Sequence, residues 1–234
     1  MLTGTFINVG TVLLGTLIGT LVGSRLPGSL QERVMAGLGL VTLVIGVDLA
    51  LAWRDTNPLY VLGGVLLGGL VGEAIGIESW LSRLGDRLQR AVSRGGHSTV
   101  SEAFVTASLL FCVGPLTVVG SIQNGLTGDY QALATKAMLD GFASIALAAA
   151  LGPGVAFAAV SVLVIQGGIS LAAGLFDTVL PEGSEALAAL TSAGGVLIIG
   201  ISLKLLALKD VKVGNFLPAL LFAPLLVGLV SLLD

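Results

Sequence analysis

The sequence predicts an all-α protein: a polytopic transmembrane helical bundle with an inverted-topology repeat of three helices and a central helix pair interrupted at Gly114-Pro115. Three observations lead to it. Hydrophobic residues make up 55% of the 234-residue chain and charged residues 11%, with a mean hydropathy of +1.02. A soluble domain carries about 25% charged residues, so there are too few charges here to cover a surface facing water. The apolar residues fall into eight segments, most of them near the roughly 20 residues that a helix needs to cross about 30 Å of hydrocarbon. Finally, the 34 glycines lack collagen periodicity but recur four apart inside apolar segments, the spacing that lets helix backbones approach closely in lipid.

The same inventory excludes several classes. A net charge of -3 without a basic stripe does not suit a nucleic-acid partner. The single cysteine, Cys112, precludes an internal disulfide and a thiolate cage. The single histidine, His97, precludes a multi-histidine metal site. No metal and no cofactor is expected; the partner the composition calls for is the lipid bilayer.

Taken in order, Met1 to Ser24 has no charged side chain and no basic segment before it, so it reads as a retained first span and not a cleaved leader. Its Gly15, Gly19 and Gly23 share one face for close packing. Arg25 to Arg33 is a polar link around Pro27-Gly28. Val34 to Trp53 is the second span, interrupted by Asp48. Arg54 to Pro58 is a turn, since Asn-Pro punctuates helices. Leu59 to Ile77 is the third span, where Gly64, Gly68, Gly72 and Gly76 form a ladder against which another helix must lie.

Glu78 to Gly96 differs in character. Arg83, Arg87, Arg90 and Arg94 recur at helical spacing opposite Trp80, Leu81, Leu84, Leu88 and Val92, the pattern of a basic amphipathic helix lying on the membrane surface. Ser101 to Gly120 is the fourth apolar segment, with Ser101 as a cap and Glu102 at the positive end of the helix dipole. Ala137 to Leu151 is the fifth, and Gly152-Pro153-Gly154 joins it tightly to the sixth, Val155 to Phe176. An acidic link holding Asp177, Glu182 and Glu185 leads to the seventh, Ala186 to Leu208, and the eighth is Val213 to Leu233.

Eight of the eleven lysines and arginines fall in the odd-numbered links, which the positive-inside rule assigns to the cytoplasm. With eight spans, both termini then lie outside. Leu21 to Gly72, set beside Leu175 to Gly228, aligns Leu26-Pro27 with Leu180-Pro181, Gly46 with Gly200 and, after a two-residue insertion, Gly72 with Gly228. The copies start with spans one and six and so enter from opposite sides, an inverted repeat of the kind that places sites near mid-membrane. Residues 1–77 are then the first three-helix repeat, 78–99 the basic cytoplasmic helix and loop, 100–152 the central pair, and 153–234 the second repeat.

The opening GTFINVGTVLLGTLIG, the block GPLTVVGSIQNGLTGD followed by KAMLDGFAS, and the late SLKLL and VGNFLPAL together resemble the YdfK/YqgA-like family of bacterial inner-membrane proteins, a domain-of-unknown-function family. The resemblance runs over essentially the whole chain. It implies a multi-pass protein of the bacterial inner membrane, described as a candidate transporter, and it carries over no catalytic residue.

Ionisable groups inside spans cost about 2.5–3.5 kcal/mol each on insertion scales and face the bundle interior or a wet cavity. The candidates for a polar path are Gln123, Asn124, Lys136, Asp140 and Asp48. Lys136 and Asp140, four apart, share one helix face and either pair with each other or line that path. Lys204 and Glu73 read as interfacial, and Asn8, Gln166 and Asn215 as amides that hold helices together. If the helix ends at Gly114-Pro115, the stretch to Gly128 returns as irregular backbone buried in protein or lining water; if Pro115 only kinks a full span, Ser121 to Gly125 is an outer loop. The repeat, the glycine-lined helices and the polar groups inside spans fit a transporter or ion-conducting channel for a small solute or ion better than an enzyme, which would need a nucleophile–base pair, a carboxylate dyad or a metal cage. The alternative is a non-transporting scaffold or partner subunit. The abundance of glycine ladders predicts self-association, with a homodimer favoured.

Overall fold

The computed structural model describes residues 2–92, 99–175 and 180–232. Every regular element among them is helical. In chain order these are α1 (Thr3–Gly23), α2 (Gly28–Ala50), which tightens into a 3-10 turn at Leu51–Asp55, α3 (Pro58–Ile75), α4 (Ile77–Val92), α5 (Val100–Val113), α6 (Pro115–Leu126) and α7 (Gln131–Leu151). A 3-10 turn at Pro153–Phe157 leads into α8 (Ala158–Leu171), then come α9 (Glu185–Leu205), a 3-10 turn at Val213–Phe216, and α10 (Ala219–Ser231). Of the positions singled out in the sequence, Met1, Arg94, Gly96, His97, Phe176, Asp177 and Leu233 lie outside the described residues.

Local chemistry sets the helix ends. Asn57 precedes α3, its side chain accepting from the Leu59 N–H at 3.0 Å, and Pro58 occupies the first helical position, where its missing N–H has no partner to lose. Ser184 caps α9 by accepting from the Leu187 N–H at 3.2 Å, with Glu185 in the first turn. Ser101 does not cap α5; it lies inside the first turn, and its N–H donates to Gln89 Oε1 at 3.2 Å. Gly76 is also reassigned. It does not continue the packing ladder but ends α3 with φ 73°, in the left-handed region that suits glycine, and its N–H bonds back to Gly72 O at 2.8 Å.

The chain forms two compact units. The first comprises residues 1–38, 80–112 and 116–173, and its centre is α1 against α7. A methyl group on Gly4 would meet Leu133, one on Gly15 the Gly141 carbonyl and Ser144, one on Gly19 Ile145 and Ala148, and one on Gly23 Ala149. Both sets of numbers rise together, so the two helices run parallel. The second unit comprises residues 39–79, 113–115 and 174–234. Here Gly64 packs on Ala223, Gly68 on Ala219 and Gly72 on Asn215, so α3 runs antiparallel to α10 and the turn before it. The second half of α2 runs antiparallel to α9, with Gly39 against Leu206, Gly46 against Ile199 and Gly195 against Ala50. Both glycine ladders are therefore covered within the chain, and the surfaces expected to drive self-association are already occupied. The large apolar residues left exposed, such as Leu14, Leu17, Leu66 and Leu70, face outward along these long helices, as lipid-facing side chains do.

Among the described residues, seven helices are long and apolar enough to cross a membrane, and α5 and α6 together make an eighth candidate bent by 61°. The stretch after Pro115 is neither an irregular return nor an outer loop: it is helical from Pro115 to Leu126, and Ser121, Ile122, Asn124 and Gly125 are buried. Proline removes the N–H that would bond to Phe111 O four residues back, and the Thr117 hydroxyl donates to that carbonyl at 3.0 Å instead. The freed backbone acceptor is satisfied locally, which is what allows a break at membrane depth.

A second polar link joins α3, α4 and the last 3-10 turn. The Glu78 N–H donates to Asn215 Oδ1 at 2.7 Å, the Gly214 N–H donates to Glu78 Oε2 at 2.7 Å, and Asn215 Nδ2 donates to Glu73 Oε2. Glu73 and Asn215 serve as a joint at the end of α3. Lys204, in the last turn of α9, reaches Asp210 at 3.8 Å, in keeping with an interfacial lysine.

Candidate functional site

The polar residues of the first unit gather in its interior. Lys136, Asp140 and Ser144 lie four apart on α7 and share one buried face. Asp140 sits nine residues after Gln131, about 14 Å into a helix of about 31 Å at 1.5 Å per residue, and so close to the middle of the span. Lys136 Nζ pairs with Asp140 Oδ2, and the two residues are 5% and 7% exposed. The same oxygen accepts a second hydrogen bond, at 2.8 Å, from Nδ2 of Asn8 on α1. Asn8 Nδ2 also donates to Oε1 of Gln166 on α8 at 3.1 Å. From α6, Asn124 Oδ1 accepts the Gly4 N–H at 3.3 Å, and its Nδ2 donates to Gly128 O at 3.3 Å. Asn8, Asn124 and Gln166 are fully buried.

This network leaves polar capacity unused. Thr5 Oγ1, Asn8 Oδ1, Ser121 Oγ, Ser144 Oγ, Gln166 Nε2 and Ser170 Oγ are all buried without a hydrogen-bond partner among the described residues. Each belongs to a short polar pair at helical spacing: Thr5 with Asn8, Ser121 with Asn124, Asp140 with Ser144, and Gln166 with Ser170. Four helices thus turn one polar edge each towards the same interior. Gly125 allows the approach of α6 to α8, because a methyl group there would meet the Ser170 carbonyl and Ala173. Along α7 the polar run stops at Ser144. Beyond it Leu147, Ala148 and Ala149 are buried, and Gly19 and Gly23 of α1 bring backbone directly against this segment.

Of the residues predicted from sequence, Lys136 and Asp140 pair here, and Asn124 is buried in the same unit, bonded to Gly4 of α1 and to Gly128. Gln123 is only half-buried; one residue from Asn124, it is turned about 100° round the helix. Asp48 does not join. It is exposed on α2 in the second unit, because the buried edge of that helix runs through Thr42 and Gly46, and two residues on from Gly46 is about 200° round. The sequence assigns Asn8 and Gln166 only to holding helices together, places Ser121 in the central stretch without a role of its own, and gives Thr5, Ser144 and Ser170 no prominence. The signal that identifies them is the recurrence of polar side chains three or four apart inside otherwise apolar segments, which places them on one face.

Comparison with known proteins fits a membrane protein. Residues 3–228 match the family described as Protein of unknown function (DUF554). The chain is 30% identical over 226 residues to the "Uncharacterized membrane protein YdfK" of Bacillus subtilis (strain 168), covering 96% of this chain and 95% of that one. It is 32% identical over 228 residues to the "Uncharacterized protein YqgA" of Escherichia coli (strain K12), covering 95% of each. No solved structure matches. The family match and both relatives span nearly the whole chain, and the apolar helices are long enough for a bilayer: the protein belongs to the DUF554 family and is an integral membrane protein.

Proposed function

We propose that the protein is a transporter or ion-conducting channel of the bacterial inner membrane, and that the polar core of α1, α6, α7 and α8 is its path for a small solute or ion. The observation that carries this reading is a buried charged pair near mid-span surrounded by unpartnered amide and hydroxyl groups. A core needed only for stability gains nothing from such groups, since each buried unsatisfied donor or acceptor costs about 1–3 kcal/mol. An inverted repeat agrees with the packing of the second unit. There α2 crosses α9 with Gly46 beside Ile199, next to its aligned residue Gly200, and a helix crossing its own repeat at equivalent residues is what a two-fold axis in the membrane plane produces. The reading includes no catalysis: the charged pair and amides of the core hold and orient. The direct test is flux into liposomes containing the purified protein, measured for Na+, K+, Cl−, protons, glycerol and urea. Flux of at least one above empty liposomes is expected, and none for any of them removes the reading.

The orientation in this reading puts both termini outside and Arg83, Arg87 and Arg90 in the cytoplasm. An Arg90→Cys variant in a Cys112→Ser background is expected to resist an impermeant thiol reagent in intact cells and to react after the membrane is opened. Labelling in intact cells reverses the orientation. The reading also keeps a homodimer, whose interface then lies on lipid-facing surfaces outside the two glycine ladders. A monomeric mass in mild detergent removes it.

One observation favours the alternative, a scaffold or partner subunit. Arg83, Arg87 and Arg90 are exposed on α4 and, with Asp86 and Gln89, line a shallow cleft of about 300 Å³, while Trp80 is 55% exposed on the same helix. A basic amphipathic surface of this kind attracts anionic headgroups. Robust binding to anionic liposomes with no solute flux is the outcome that selects it.

A further inference from the structure

We infer that the polar core, taken as the transport path proposed above, accepts a small uncharged solute that both donates and accepts hydrogen bonds, such as a polyol, urea or a simple amide, and that Asn8 Oδ1 and Gln166 Nε2 are the groups presented to it. This rests on the transport reading and narrows it.

The first argument is one of orientation. Asp140 Oδ2 is an acceptor, so the side-chain nitrogen of Asn8, not its oxygen, must face it, as it does at 2.8 Å. That nitrogen uses its second hydrogen on Gln166 at 3.1 Å, so Gln166 must turn its oxygen to Asn8. The carboxylate therefore fixes both amides in turn. What remains is one free acceptor, Asn8 Oδ1, and one free donor group, Gln166 Nε2, both fully buried and unpartnered among the described residues. The hydroxyls of Thr5, Ser121, Ser144 and Ser170 are likewise unpartnered, and each can donate or accept.

The second argument is one of charge. The formal charges of the core, Lys136 and Asp140, are joined in one pair and cancel. An ion entering such a core must shed its hydration with no uncompensated opposite charge to meet it, and that desolvation is the dominant cost of burying any ion. A neutral solute with both kinds of hydrogen-bonding group meets donors and acceptors already aimed. Asp140 then acts as a positioning residue: it sets the amide relay and need not touch the solute.

The test is osmotic swelling of proteoliposomes in glycerol and in urea, read by light scattering, run beside Na+, K+, Cl− and proton flux in the same preparation. The inference expects glycerol or urea permeation above empty liposomes, no ion flux, and a fall of about tenfold in Gln166→Met, the loss of one good hydrogen bond in the path. Ser170→Ala, which removes only a hydroxyl, is expected to reduce permeation less and serves as the second variant if Gln166→Met does not elute as a single folded species. Ion flux without glycerol or urea permeation overturns the inference and leaves transport standing. Permeation unchanged in both folded variants overturns the assignment of the site. Absence of every flux overturns the transport reading itself.

Discussion

Asp140→Asn is expected to abolish solute flux and to destabilise the protein by about 3–5 kcal/mol, the loss seen when one partner of a buried ion pair is removed. The variant keeps an oxygen for Asn8 but leaves Lys136, 5% exposed, with a charge and no counter-ion deep in the first unit. Lys136→Met strands the Asp140 carboxylate in the same way and should cost about as much. The double variant, Lys136→Met with Asp140→Asn, holds no uncompensated charge. Its loss should therefore be well below the sum of the two single losses, because neighbours that share one network are not additive. Reversible unfolding in detergent reads the stability and liposome flux reads the function. The double variant is expected to recover folding without full flux, since a neutral amide orients Asn8 less strictly than a carboxylate does. Asn124→Ala, which removes a neutral group, should weaken flux less. Two single losses of about 0–1 kcal/mol that simply add would mark an exposed pair, and the buried core would then be wrong.

Gly68→Leu is expected to separate α3 from α10 and to leave little folded protein. A single methyl group on Gly68 would already lie 2.6 Å from the Ala219 Cα, and that neighbour is backbone, which cannot rotate away. Overpacking a core costs about 1–3 kcal/mol even where side chains can adjust; here two helix backbones must part. Gly19→Ala should do the same in the first unit, where the added methyl would lie 2.9 Å from both the Ile145 Cα and the Ala148 Cβ. The control is Gly10→Ala, on the same helix as Gly19, where nothing lies within 4 Å. Alanine there should be neutral or stabilising by about 0.5–1 kcal/mol, since glycine in a helix interior carries that entropic penalty. Thermal midpoints in one detergent rank the variants. Equal loss at Gly10 and Gly19 would mean that the close approach of α1 and α7 does not depend on the glycine.

Class and span positions were legible in the sequence because both are local properties. A run such as Leu59 to Ile77 is apolar whatever its partners, and bilayer thickness dictates its length. The basic face of α4, the break at Pro115 and the use of Gly64, Gly68 and Gly72 as a packing face were equally local. Gly76 was misread because continuing a period of four looks the same, in sequence, whether the last glycine packs or turns the chain; its φ of 73° separates the two. Asp48 and Asp140 are both aspartates inside apolar runs, and although Lys136 lies one turn before Asp140, the sequence does not say which of the two carboxylates is buried. Only helix rotation distinguishes them: Asp48 lies opposite the Gly46 edge, while Asp140 faces Asn8 of α1. The helical continuation to Leu126, with Ser121 and Asn124 buried, was not legible either; across the break the Thr117 hydroxyl takes the carbonyl that the proline's missing N–H leaves free. Composition and period therefore determined that this chain crosses a membrane, and roughly where. Which polar groups meet was decided by contacts between residues more than a hundred positions apart, since the side-chain order Asp140, Asn8, Gln166 exists only once α1, α7 and α8 are packed together.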